Sequence, residues 1–98
     1  MNKTGKYNRK AAEAVAIQAL GFLAQDGERL GRFLALSGVG PEDIRSAASQ
    51  PGFLSGVLDH IVGDESLLVA FAEHAGLAPP QVAAAHSILS GGRQWDSA

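Results

Sequence analysis

Apolar residues recur every three to four positions along most of the chain, and glycine, proline or aspartate breaks the pattern at short intervals. Val15, Ala16, Ala19, Leu20 and Leu23 fall on one stripe at the 3.6-residue period, which predicts a helix over about residues 9–25. Asp26 follows as an N-cap for a second helix carrying Leu30, Phe33, Leu34 and Leu36, and Gly38 is placed to close it in the left-handed conformation. Gly40 and Pro41 restart the chain, with Glu42 and Asp43 at the positive end of a third helix that buries Ile44, Ala47 and Ala48. The punctuation then recurs. Pro51 opens a helix burying Phe53, Leu54, Val57, Leu58 and Ile61, and Asp64 caps one burying Leu67, Leu68, Phe71 and Ala72. Gly76 closes that helix, and Pro79 and Pro80 begin a last one, lined by Val82, Ala85, Ile88 and Leu89, with a stop expected at Gly91–Gly92. No segment alternates at period two for long enough to make a strand, so the predicted fold is all-α.

An offset of 38 residues aligns Leu20 with Leu58, Asp26 with Asp64, Leu30 with Leu68, Phe33 with Phe71, Gly38 with Gly76 and Pro41 with Pro79, and with Ala47/Ala85 and Ser49/Ser87 gives eight identities. Apolar positions also match, as in Leu23 with Ile61 and Ile44 with Val82. This pattern predicts a compact bundle of about six short helices, built as two tandem three-helix units at about 11–49 and 49–90. Residues 9–92 form a single helical domain in this reading, between a basic flexible arm at 1–8 and a flexible tail at 93–98.

Composition narrows the function. The 98 residues include no cysteine, which removes disulfides, thiolate metal sites and cysteine nucleophiles. The net charge of −2 divides unevenly. Lys3, Lys6, Arg9 and Lys10 stand together without an acid, while residues 11–98 set four arginines against ten carboxylates. An acidic body repels phosphate backbones, so nucleic-acid binding would depend on the arm or on a local turn. No apolar run reaches the ~18–20 residues of a membrane span, and the expected location is cytoplasmic.

No nucleophile elbow, phosphate loop or paired-acid constellation occurs, so the sequence predicts neither an enzyme nor a cofactor. His60, His74 and His86 lack the i, i+4 spacing of helical metal sites, and no metal site is expected. Three candidate binding features remain. Arg29 and Arg32 share a helix face and Arg45 follows on the next helix, a cationic group suited to an unidentified protein partner. Trp95, in the tail beside Arg93, either covers a helix end or anchors such a partner. The turn Gly38-Val39-Gly40 before Pro41 is like that of a helix-hairpin-helix, whose amides hold a phosphate, although Glu42 and Asp43 stand where basic residues usually follow. The leading expectation is therefore a non-enzymatic protein-interaction or scaffold module, and the alternative is weak nucleic-acid or anion binding through that turn. A ligand cleft between the units is a third reading.

The strings Ile17-Gln18-Ala19-Leu20-Gly21-Phe22-Leu23-Ala24, Leu30-Gly31-Arg32-Phe33-Leu34-Ala35-Leu36-Ser37-Gly38 and Pro51-Gly52-Phe53-Leu54 resemble a family of short, chiefly alphaproteobacterial proteins known only as a domain of unknown function. The resemblance covers most of residues 12–89 and implies a small all-helical bacterial protein. It brings no catalytic or ligand residue with it.

Overall fold

The computed structural model describes the backbone of residues 8–97 and the side chains of residues 8–90 apart from residue 51. Asn8 starts the first helix, its Oδ1 accepting from the Ala11 amide at 2.8 Å. The six helices are α1 (Arg9–Ala24), α2 (Gly27–Ser37), α3 (Ile44–Ala47), α4 (Pro51–Val62), α5 (Glu65–Ala75) and α6 (Pro79–Ser97), with a 3-10 turn at Pro41–Asp43 ahead of α3. No strand occurs among the described residues, and the chain is all-α.

Local chemistry sets the boundaries. Asp26 caps α2 by accepting from the amides of Glu28 and Arg29 at 3.0 and 3.3 Å, and Asp64 caps α5 by accepting from Leu67 at 3.2 Å. Gly38 and Gly76 end these helices at φ +78° and +72°, in the left-handed region where a Cβ is strained. They close differently: the Gly38 amide reaches back to the Leu34 carbonyl, while the amide of Leu77, one residue past Gly76, bonds the Ala72 carbonyl.

Helices α1 and α4 pack on each other, and α6 lies against both of them about equally. Helix α2 packs on α1 and touches α4, and α5 packs on α4 and touches α1. The core consists of Ala12, Ala16, Ala19 and Leu23 from α1, Val57, Leu58 and Ile61 from α4, and Val82 and Ala85 from α6, with Phe71 of α5 fully enclosed. Aromatic rings join the layers: Phe22 meets Phe71 at 5.6 Å between centroids, and Phe33 meets Phe53 at 5.6 Å.

Several expectations need correction. Phe53, Leu67 and Leu68 are half-buried instead of buried. Leu36 is 73% exposed instead of lining the core. On a helix of 3.6 residues per turn it points roughly 110° from the Leu30/Phe33/Leu34 stripe, so α2 cannot bury both. The third helix of the first unit is only the 3-10 turn and the four-residue α3, and Ile44, Ala47 and Ala48 are half-buried. The last helix continues through Gly91–Gly92 to Ser97. An interior glycine lowers helix stability by only about 1 kcal/mol and stops a helix reliably only where the backbone turns left-handed.

Truncating the fully enclosed Phe71 to alanine should destabilise the fold by ~3–5 kcal/mol, while Leu36→Ala should cost less than ~0.5 kcal/mol in the dilute protein. Gly38→Ala and Gly76→Ala should each cost about 1–2 kcal/mol. Urea unfolding of the four variants measures all of these differences.

Candidate functional site

The starts of α2 and α5 and the end of α4 surround a cavity of about 260 Å³. It is lined by Arg29 and Arg32, by the capping residues Asp26 and Asp64, and by Glu28 and His60. A second, more apolar groove of about 430 Å³ lies between α2 and α4, bounded by Phe33, Leu36, Val39 and Phe53, with Gly52 and Gly56 on the α4 side. His60 lines both cavities. Its ring stands edge-on to Phe33 at 5.2 Å, and the two cavities adjoin there as a trough with arginines and carboxylates at one end and apolar residues at the other.

Helical geometry accounts for this arrangement. Arg29, Arg32, Phe33 and Leu36 are spaced i, i+3, i+4 and i+7 and share one face of α2. Gly52, Phe53, Gly56, Asp59 and His60 likewise share one face of α4. Nothing lies within 4 Å of where a Cβ would stand at Gly52 or Gly56, so the groove is open along the α4 backbone. A residue standing as far out of an apolar face as Leu36 is informative because it lies beside a groove instead of alone.

The two arginines are held differently. The Arg29 guanidinium lies over the Phe22 ring at 5.0 Å and its Nε is 3.8 Å from Asp26 Oδ2, both side chains being about half exposed. That pair is long and solvated and contributes little to stability. Arg32 makes no ion pair among the described residues, which leaves its guanidinium available. The cavity is not an anion trap, however. Asp26, Glu28 and Asp64 share its wall, and the caps already occupy the amides of Glu28, Arg29 and Leu67.

The structure thus brings Arg29 and Arg32 together, while Arg45, on α3, does not line the cavity. The side chain of Trp95 lies outside the described residues, as do Lys3 and Lys6 of the basic arm. At the Gly38-Val39-Gly40 turn, the Gly38 amide bonds the Leu34 carbonyl and the Val39 amide bonds Ser37 Oγ at 3.3 Å. The Glu42 carboxylate folds back over Gly40, its Oε2 3.0 Å from where a Cβ would stand. An anion approaching this turn meets a carboxylate, and the helix beyond it is α3, of four residues.

The other histidines also have defined neighbours. His74 packs on Phe22 at 5.2 Å, and His86 Nε2 lies 3.2 Å from Asp59 Oδ1, linking α6 to α4. No group of three His, Asp or Glu among the described residues is placed to hold a metal ion. No helix among them is long and apolar enough to cross a membrane.

Sequence reasoning put Arg29 and Arg32 on one helix face, as they stand here, and did not identify the groove beside them. One signal was present: Leu36 is out of phase with the core stripe of α2, and Gly52 and Gly56 stand four apart on α4. The pairing of α2 with α4, which sets these features side by side, is tertiary and has no local signature.

A family model described as a protein of unknown function (DUF3572) matches residues 9–92. Comparison with curated proteins finds no match, and neither does comparison with solved structures.

Asp26→Ala should destabilise the protein by about 1 kcal/mol through loss of the cap, and Asp26→Asn should retain most of that stability because asparagine caps equally well. Urea midpoints decide the matter, since an equal loss in both variants would assign the effect to the Arg29 ion pair instead.

Proposed function

Because the chain belongs to this family of unknown function, no activity reaches it through its relatives, and we propose on the geometry alone that it is a non-enzymatic protein-interaction module. Its working surface is the α2/α4 trough. The observation that carries the reading is the 73% exposure of Leu36 at the lip of an apolar groove, with Arg32, which has no ion pair among the described residues, one helical turn away on the same face. Protein interfaces place an apolar anchor at the centre and charged groups at the rim, and arginine is favoured among those charges. The trough has that layout.

Arg45 and Trp95 stay in the proposal as peripheral contacts, and the basic residues Lys3, Lys6, Arg9 and Lys10 add long-range attraction for an acidic partner. The proposed setting of this interaction is cytoplasmic. Nucleic-acid binding through the Gly38–Pro41 turn has less support, since Glu42 covers the turn and the following helix is short.

The test is photo-crosslinking of the full-length chain in cells of its source, with a benzophenone amino acid at position 36 and a control at the exposed Ala83 on α6. Defined adducts from position 36, absent from position 83 and weakened by Arg29→Ala with Arg32→Ala, are the expected result. Equal or absent adducts at the two positions would overturn the reading.

A further inference from the structure

The α2/α4 groove has a counterpart of similar size, about 410 Å³, between α1 and α5, bounded by Gln18, Gly21, Phe22, Gln25 and His74. Five of its residues fall on residues of the α2/α4 groove under the 38-residue offset, among them Gln18 on Gly56, Phe22 on His60 and His74 on Leu36. Ring contacts follow the same exchange: Phe22 on Phe71 at 5.6 Å becomes His60 on Phe33 at 5.2 Å. One molecule therefore contains two versions of one groove. The α1/α5 version has glutamines and a histidine at its rim, and the α2/α4 version has leucine and open glycine. The fold accepts polar residues at these places, so packing within the chain does not require the apolar ones.

We propose that the α2/α4 groove is covered by the same groove of a second copy of this chain, in a two-fold dimer. This rests on the reading of the trough as an interaction surface and names its partner. Three observations point to a second copy. Projection and recess lie on one face, Leu36 beside the space open at Gly52 and Gly56, as an isologous contact requires. That face also holds both charge signs, Arg29 and Arg32 with Glu28 and Asp59, so two identical faces need not set like charges together. Finally, α2 fully buries only Phe33 of its eleven residues, and a second copy supplies the cover this helix lacks. Small domains with thin cores often gain stability in this way.

The test is sedimentation velocity of the purified full-length chain across a micromolar concentration series, with far-UV circular dichroism and melting of each variant. Leu36→His with Gly56→Gln gives the α2/α4 groove the rim residues of its counterpart, and Gly56 has room for the added side chain. The expected result is reversible growth from 10.1 kDa to twice that mass, with dissociation made roughly tenfold or more easier in the double variant while its helicity is kept. Leu36→Arg should act likewise, and supplies the answer if the double variant fails to fold. Dimers that persist in a folded variant would overturn the assignment of this face. A chain monomeric throughout, whose position-36 crosslinks join it to a different protein, overturns the second copy and leaves the interaction reading standing. A monomer with no crosslinks overturns both.

Discussion

Close approach of α1 to α4 and α6 is the condition on which the rest of the molecule depends. Ala12, Ala16 and Ala19 are fully buried on α1, and a helix with methyl groups at its contact positions can come nearer to its neighbours than one with leucines. The result is a dense centre with little bulk, in which Leu23, Leu58, Ile61 and Phe71 supply most of the large enclosed side chains. Small side chains contribute less transfer free energy each. The outer helices α2 and α5 each centre their attachment on one buried aromatic, Phe33 or Phe71, flanked by half-buried residues such as Leu30 and Leu34 on α2 and Leu67 and Leu68 on α5.

That centre also explains why two similar halves end differently. Exchanging α1 with α4 exchanges α2 with α5, and α6 rests on α1 and α4 about equally. The place against both α1 and α4 is filled by α6, and a second helix of the same kind would need that same place. The segment after Gly38 is left with a 3-10 turn and a single short helix, half-buried, while the segment after Gly76 becomes the longest helix in the chain. Symmetry of packing and asymmetry of the third element thus have the same cause.

Much of this was legible in the sequence because it is local. Asp26 and Asp64 cap, Gly38 and Gly76 close, and Pro41, Pro51 and Pro79 restart helices through groups within a few residues of one another. The stop expected at Gly91–Gly92 failed for the same reason that the others succeeded. Glycine ends a helix through its backbone conformation and not by its presence, and only the flanking chain decides which conformation it takes. Arg29 and Arg32 were recognisable as a pair from their i, i+3 spacing, but Arg45 belongs to another element whose position no local rule fixes. The groove was hidden most completely. Its walls come from helices whose facing residues are about twenty apart in the chain, and Leu36 reads as core until α2 is seen to bury another side.

The two grooves separate what the fold needs from what it leaves free. Phe33 and Phe71 hold the same place in the two halves and are both buried, because each anchors a helix. One turn further along, the same framework carries Leu36 on one side and His74 on the other, and both positions are exposed. Burial cannot account for leucine at a position where histidine serves equally in the counterpart, and an exposed leucine gains nothing from water. At this pair of positions the halves differ on the rim of a groove, where the change alters what can dock without touching a buried residue. In a chain with so few large side chains, an apolar residue kept outside the core is the least expected feature for folding and therefore the most informative one about function.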